Sequence, residues 1–236
     1  MKMNNDKKPE IIVFAGPNGS GKTTVIRAVM GCLPGRGHVS GGSITFDGRD
    51  MLKNTREDWR KISGSEMSMI FQDSGNMINP IRRIGEQFTD YILAHAPQKS
   101  KAEATEMAKD MLNKVRLPNP QNIMNSYPFE LSGGMRQRVG IAMAMIFSPK
   151  LLLADEPTSA LDVTTQAQII RQIVDVRNEY NAAVILVTHN IGVASYVSNK
   201  LMVMKNGHVV ESGGREIIEN PQHAYTKELL AAVPVL

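Results

Sequence analysis

Short apolar runs, each followed by polar or glycine-rich residues, recur along the chain. Four of them lie at residues 11–15, 67–71, 151–154 and 184–187. Unbroken apolar runs of this length are typical of strands in a parallel sheet that is buried on both faces. Ligands of such sheets bind at the carboxyl ends of the strands. The pattern therefore predicts an α/β fold and directs attention to the residues that follow each run.

Two further segments carry hairpin signals. Residues 43–46 alternate between polar and apolar side chains and stop at Asp47-Gly48, whereas Asn206-Gly207 separates residues 201–205 from residues 208–211. Asp-Gly and Asn-Gly pairs between apolar segments are strong signals for tight hairpin turns. We therefore predict two antiparallel elements beside the parallel sheet.

Helical spacing of apolar residues fills most of the remaining chain. Helices are predicted at residues 24–32, 55–62, 81–94, 101–115, 133–147, 164–179, 215–219 and 224–232. Pro80 is expected to open the third of these helices and Thr164 to cap the sixth. Residues 116–128 contain three prolines and are predicted to be a loop, and residues 1–8 are expected to be unstructured.

The strongest motif follows the first apolar run. Residues 16–23 spell Gly-Pro-Asn-Gly-Ser-Gly-Lys-Thr, which is the phosphate-loop pattern in its required strand–loop–helix context. The glycines let the backbone wrap around phosphates, Lys22 can reach the β- and γ-phosphates, and Thr23 can ligate Mg²⁺. The predicted nucleotide-binding residues are Gly16, Pro17, Asn18, Gly19, Ser20, Gly21, Lys22, Thr23 and Thr24. A glycine-rich turn without a ligand is the alternative.

Two later segments offer groups suited to a phosphate and its metal. Ser132, Gly133 and Gly134 lead directly into a helical pattern, so free backbone N–H groups and the positive end of a helix are available to an anion. Asp155 and Glu156 are adjacent carboxylates that end the run at 151–154.

Gln72 and His189 follow two other apolar runs. Gln72 comes after residues 67–71 and, in chain order, between the phosphate loop and Ser132. His189 comes at the end of the strand predicted at 184–187, which is expected to neighbour the strand of Asp155. We therefore regard both as candidate site residues. Structural or surface roles are expected for His38, His95, His208 and His223.

Composition limits the classes of function. The 236 residues are 42% hydrophobic, which is sufficient for a large core. The net charge of +4, without a long basic run, argues against nucleic acid as the main partner. The single cysteine, Cys32, excludes a disulfide framework, and we expect it to be buried as a small apolar residue. No apolar run reaches the roughly 20 residues that span a bilayer, so a membrane role would come through a partner.

These motifs together resemble the ATP-binding subunit of an ABC transporter over residues 9–236. Five family motifs occur in order, namely the phosphate loop 16–23, the Q-loop residue Gln72, the signature 131–138, the Walker B strand 151–156 with the D-loop 159–162, and the switch residue His189. The resemblance implies a P-loop ATPase core at residues 1–72 and 150–236. It also implies a helical subdomain inserted at residues 73–149.

The resemblance further implies a mechanism that uses ATP and Mg²⁺. Two such subunits pack head to tail, and ATP held by the phosphate loop of one is closed over by Ser132, Gly133 and Gly134 of the other, with the D-loop residue Asp162 also at the nucleotide. In this scheme Asp155 supports Mg²⁺, Glu156 orients the attacking water as a base, and His189 holds the γ-phosphate. Gln72 contacts the metal or the water and moves with the membrane partner.

Finer resemblance points to the oligopeptide, dipeptide and nickel importer branch. It lies in residues 79–87, 155–162 and 220–230. The implied partners are two transmembrane permease subunits, a second identical or related cassette and, indirectly, an extracytoplasmic solute-binding protein. The implied location is peripheral, at the cytoplasmic face of the cell membrane. Many members of the branch continue into a cysteine-bearing tail, and the end at Leu236 slightly favours a short-peptide or nickel system.

The beginning of the chain departs from the family pattern. Family members have two antiparallel strands before the phosphate loop and an aromatic residue that stacks on adenine, whereas fifteen residues precede Gly16 here. Phe14 is the aromatic residue in that segment, and a place inside a buried strand would prevent stacking. We therefore expect an incomplete N-terminal antiparallel sheet and weaker nucleotide binding. The alternatives are a truncated or inactive cassette, a nucleic-acid-directed ABC ATPase and a small-molecule kinase.

Overall fold

A six-stranded sheet lies at the centre of the fold. The computed structural model describes residues 10–72, 77–159 and 162–231, except for the side chains of Val163 and Val176. The strands are β1 Ile11–Ala15, β4 Met67–Ile70, β5 Leu151–Asp155, β6 Ala183–Thr188, β7 Lys200–Lys205 and β8 His208–Gly213, and a separate hairpin pairs β2 Thr45–Phe46 with β3 Arg49–Asp50. The order across the sheet is β4-β5-β6-β1-β7-β8. Neighbouring strands are parallel except β7 and β8, which form an antiparallel hairpin. The predicted α/β fold with a mostly parallel sheet is confirmed.

Helices connect the strands and cover the sheet. They are α1 Lys22–Val29, α2 Arg56–Ile62, α3 Ile84–His95, α4 Lys101–Lys114, α5 Pro120–Asn125, α6 Gly133–Met145, α7 Val163–Tyr180, α8 Ile191–Val197, α9 Glu216–Glu219 and α10 Ala224–Ala231. Short 3₁₀ turns occupy Met51–Lys53 and Pro128–Glu130. Among the helices of the described ranges, none is long and apolar enough to cross a membrane.

The two faces of the sheet pack into two different apolar clusters. Successive side chains of a strand point to opposite faces, so Val13 enters one cluster and its neighbour Phe14 enters the other. The first cluster also contains Phe88, Leu112 and Val139 from the helices between β4 and β5. Both faces are therefore covered, which explains why the strands are continuously apolar. Phe14 is buried as expected.

Helices α3 to α6 form the segment between β4 and β5, and we call them the inserted helices. A capping box fixes the start of α4, where Ser100 accepts the backbone N–H of Glu103 and the Glu103 carboxylate accepts the N–H of Ser100. Val139 of α6 lies in the same apolar cluster as Ile70 of β4. The inserted helices thus share their core with one face of the sheet.

Two predicted boundaries among these helices were wrong. Pro80 does not open a helix, because the Gln87 side chain holds residues 79–82 in a turn by accepting the Asn79 N–H at 2.9 Å and donating to the Asn79 and Arg82 carbonyl oxygens. The helix begins at Ile84 instead. The segment 116–128 is not only loop, since α5 forms within it with Pro120 in its first turn.

Two side-chain predictions were also wrong. The N-cap of α7 is Asp162 rather than Thr164, because the Asp162 carboxylate accepts the backbone N–H of Thr165 at 2.9 Å. Cys32 is exposed, since it follows the end of α1 and precedes the glycine-rich segment at 33–42. The predictions for residues 1–8 and for Ala232, and the middle of the D-loop at 160–161, lie outside the described residues.

Candidate nucleotide site

The phosphate loop turns tightly between β1 and α1. Gly16, Gly19 and Gly21 all have positive φ, at 154°, 80° and 95°. A Cβ atom at Gly16 would lie 2.2 Å from the carbonyl oxygen of Met204, so this position requires glycine. The turn between β7 and β8 supports the loop from behind, because the Gly207 N–H donates to the Ser20 carbonyl at 3.0 Å.

Lys22 lies at the floor of the loop. Its side chain is almost fully buried, and its Nζ donates to the carbonyl oxygens of Gly16 and Pro17, both at 2.7 Å, and to the Ser20 hydroxyl at 3.3 Å. Burial lowers the pKa of Lys22 from its ordinary value, and the nearby carboxylates of Glu156 and Asp155 oppose this shift. The ammonium group is therefore held rigidly by the same loop that would wrap a phosphate.

Thr23 and Asp155 meet beside Lys22. The Thr23 hydroxyl donates to Asp155 Oδ1 at 2.9 Å, and Asp155 is 2% exposed. Burial raises the pKa of Asp155, whereas the Thr23 hydroxyl and the Arg27 guanidinium act in the opposite direction. Hydroxyl and carboxylate oxygens are the donors that Mg²⁺ takes alongside substrate phosphates. Within the described ranges no group of three or more His, Cys, Asp or Glu residues could hold a metal. Gln72, the third residue predicted to contact Mg²⁺ or the water, lines the same cleft as Thr23.

Glu156 and His189 form a second pair at the carboxyl ends of β5 and β6. Glu156 has φ of 45°, in the left-handed region, and its N–H donates to the Val187 carbonyl at 2.9 Å. Its Oε2 lies 3.0 Å from Nδ1 of His189. The Glu156 side chain is 9% exposed and that of His189 is 50% exposed. A carboxylate that is held in place by a half-exposed imidazole can accept a proton from a water in the cleft.

One cleft of about 280 Å³ brings nine of the predicted residues together. Its walls are Asn18, Gly19, Ser20, Gly21, Lys22, Thr23, Thr24, Gln72 and Glu156. Glu156 directly follows β5, and Gln72 follows β4 with Phe71 between them; these two strands are parallel neighbours. The register of the sheet therefore places a carboxamide and a carboxylate across from the phosphate loop.

Eight predicted residues are not among the lining residues. Gly16, Pro17, Asp155 and His189 each contact a residue that lines the cleft, whereas Ser132, Gly133, Gly134 and Asp162 lie elsewhere. Ser132 and Gly133 are exposed at the start of α6, where the Ser132 hydroxyl accepts the Met135 N–H at 3.3 Å. Gly134 lies against α7, since a Cβ there would be 3.1 Å from Cγ2 of Thr165. The exposed carboxylate of Asp162 caps α7, and the Thr165 N–H lowers its pKa. A role for Ser132, Gly133, Gly134 and Asp162 at a nucleotide stays a prediction, since it requires a nucleotide held by a second molecule.

Sequence reasoning missed two residues around the cleft. Arg27 falls inside the helix predicted at 24–32 with no role assigned, yet its charge lowers the pKa of Asp155. Gln137 was quoted within the signature without a role, yet its buried side chain donates to the Pro157 carbonyl beside Glu156. The four-residue helical spacing from Thr23 could have suggested Arg27. For Gln137, a polar residue on an otherwise apolar helix face was the available signal.

The chain is similar to known ATP-binding proteins of transport systems. The sequence model described as "ABC transporter" matches residues 5–159. The oligopeptide transport ATP-binding protein OppD of Salmonella typhimurium is 44% identical over 228 residues, which are 96% of this chain and 68% of that protein. The oligopeptide transport ATP-binding protein AmiE of Streptococcus pneumoniae is 41% identical over 96% of this chain and 64% of its own length. The chain thus spans about two-thirds of the length of these relatives.

A solved structure shows the same architecture. The dimeric structure of the ATP-binding cassette MJ0796 bound to ADP and Pi, in a post-hydrolysis state, superposes with a TM-score of 0.76 at 28% sequence identity. The match covers 89% of this chain and 87% of that one.

Proposed function

The chain belongs to the ABC transporter family, and from this premise we propose that it binds MgATP and hydrolyses it to energise the uptake of peptides. One observation carries the proposal, namely the cleft in which the phosphate loop faces Gln72 and Glu156. Phosphoryl transfer requires positioning and charge neutralisation more than covalent chemistry. The cleft offers a buried lysine, backbone N–H groups and a carboxylate for these tasks.

Each group has a distinct task in this proposal. Lys22 neutralises charge on the β- and γ-phosphates, and Thr23 with Asp155 holds Mg²⁺, which would supply further charge neutralisation when bound. Glu156 orients the attacking water and accepts its proton. His189 fixes the Glu156 carboxylate through the 3.0 Å contact, and its half-exposed ring would hold the γ-phosphate.

A second cassette completes the site in this proposal. Ser132 and Gly133 are exposed and lie outside their own cleft, so their N–H groups are available to a nucleotide held by another molecule. The solved relative is described as dimeric and bound to ADP and Pi. We propose a head-to-tail pair in which Asp162 also approaches the partner's nucleotide.

An apolar cleft beside Gln72 supports a permease partner. It measures about 320 Å³ and lies between the end of β4 and the inserted helices, with Met77 63% exposed at its rim. Its lining residues are Ser68, Met69, Phe71, Met77, Ile78, Gln87, Tyr91, Gly140, Met143 and Ala144. A permease segment seated there would contact both the sheet that carries Gln72 and the helix that begins beside Ser132. We propose this contact together with a peripheral position at the cytoplasmic face of the membrane, and with a division into an ATPase core (1–72, 150–236) and an inserted subdomain (73–149).

The relatives named for peptide transport favour peptides as the solute. OppD and AmiE are described as oligopeptide transport proteins, and DppD of Lactococcus lactis, 39% identical over 231 residues, as a dipeptide transport protein. Nickel remains the second candidate from the sequence resemblance.

The test measures ATP hydrolysis and solute uptake together. The full chain is co-expressed with its permease subunits, and vesicles are supplied with labelled di- and tetrapeptides or with ⁶³Ni²⁺. We expect peptide uptake that depends on MgATP and disappears in Lys22→Ala. Uptake of nickel without uptake of peptides would identify nickel as the solute. The absence of ATP hydrolysis by the assembled transporter would refute the proposed function.

A further inference from the structure

A buried side chain of α6 reaches the backbone next to Glu156. Gln137 lies in the second turn of α6 and is 6% exposed. Its Nε2 donates to the carbonyl oxygen of Pro157 at 2.7 Å. Proline has no N–H, so this carbonyl is the one backbone hydrogen-bonding group of Pro157. The bond therefore joins the helix that begins beside Ser132 to the residue that follows the candidate base.

The backbone of Glu156 is in a conformation that needs such support. A φ of 45° is costly for a residue with a side chain and persists where the surroundings over-determine it. The Val187 carbonyl accepts the N–H of Glu156, and the Ser159 N–H donates to the Glu156 carbonyl at 3.2 Å. Gln137 adds a constraint from outside the sheet, because it belongs to the inserted helices.

We propose that Gln137 is a positioning residue that couples the placement of α6 to the orientation of the Glu156 carboxylate. The inference rests on the proposed function, in which Glu156 is the base and Ser132 approaches a partner's nucleotide. Ser132 and Gln137 lie five residues apart on one helix, so a displacement of its first turn reaches Pro157 through a single side chain. Nucleotide contact at one site of the pair thereby adjusts the base of the other site.

The chain contains a matched control for this hydrogen bond. Gln172 on α7 is 4% exposed, and its Nε2 donates to the Val115 carbonyl at 2.8 Å. This bond also connects a helix outside the inserted set, α7, to the inserted helices, but its acceptor is at the end of α4 rather than beside Glu156. Removal of either donor from a buried amide pair should affect stability similarly. A specific effect on hydrolysis is expected at Gln137 alone of the two.

The experiment compares Gln137→Met with Gln172→Met in the full chain. Methionine keeps the unbranched shape and removes the donor. We expect kcat for MgATP to fall about 10- to 100-fold in Gln137→Met, the range expected for a misplaced catalytic group, with KM unchanged. Gln172→Met should keep the wild-type kcat. Gln137→Asn retains an amide that is one methylene too short, and it provides a milder variant with the same expected direction.

A spectroscopic readout tests the positioning without hydrolysis. The ¹⁵N chemical shift of His189 Nδ1 reports its contact with Glu156, and we expect it to change in Gln137→Met and Gln137→Asn but not in Gln172→Met. An unchanged His189 signal in the Gln137 variants, or an equal loss of kcat in both methionine variants, would overturn the inference. Failure of the wild-type transporter to hydrolyse ATP would instead overturn the proposed function, and the His189 comparison would still decide the role of Gln137.

Discussion

The cleft around Lys22 and the inserted helices differ in what determines their structure. In the cleft, each group belongs to the phosphate loop or to the start of α1, or lies within two residues of the end of a strand, as Gln72 and Glu156 do. In the inserted helices, the fold depends on apolar side chains from separate helices, such as Phe88 and Leu112, which are fully buried. From this difference we infer that activity should be most sensitive to the polar groups at the carboxyl ends of the strands. Stability should be most sensitive to the packing of the inserted helices.

The largest expected effect on stability is in the inserted helices. Phe88→Ala removes a fully buried ring from α3 and should lower the free energy of unfolding by about 3–5 kcal/mol, because both transfer and cavity costs apply. Urea denaturation followed by circular dichroism measures this loss. The affinity of the folded fraction for ATP should stay at the wild-type value. A loss of ATP affinity without a loss of stability would break the comparison.

Glu156→Gln should show the opposite behaviour. The amide cannot act as a base, so hydrolysis should fall at least about 10²-fold, as expected for the loss of general-base catalysis, while ATP still binds. Turnover and equilibrium ATP binding are measured on the same preparation. The midpoint of thermal unfolding should not decrease, because the change removes a mostly buried charge. Near-normal turnover would remove Glu156 from its assigned role.

The same difference explains how much could be predicted from sequence. Chain position and sheet direction are enough to predict that the loop at 16–23 faces residues near the ends of β4 and β5, without knowledge of packing. The boundary at Ile84 depends on the Gln87 side chain eight residues from Asn79, and no local pattern encodes that bond. The left-handed backbone of Glu156 was equally hidden, because neither a glycine nor an asparagine marks it.

Gly16→Ala should have an intermediate effect confined to the cleft. The new methyl group would meet the Met204 carbonyl at 2.2 Å, so we expect a loss of stability of more than about 1 kcal/mol together with weaker ATP binding. Gly35→Ala is the control, because Gly35 also has positive φ, at 62°, and has nothing within 4 Å of its Cβ position. Denaturation and ATP titration of both variants separate backbone strain from the collision. Equal losses in the two would show that the close approach to Met204 is unimportant.

The smallest expected effects are those of pH at two aspartates, and they have opposite signs. Burial raises the pKa of Asp155, so its contribution to stability is present below the unfolded pKa of about 3.9 and is lost as pH rises through the folded value. Asp155→Asn, which stays neutral, should therefore gain stability relative to wild type as pH rises from acid to neutral.

The Thr165 N–H lowers the pKa of Asp162, so the contribution of Asp162 to stability is present above the unfolded pKa and is lost as pH falls through the folded value. Asp162→Asn keeps a capping side chain but should lose stability relative to wild type as pH rises. Denaturation in Mg²⁺-free buffer across this range measures both differences, and parallel curves for the two variants would contradict the assigned environments of these carboxylates.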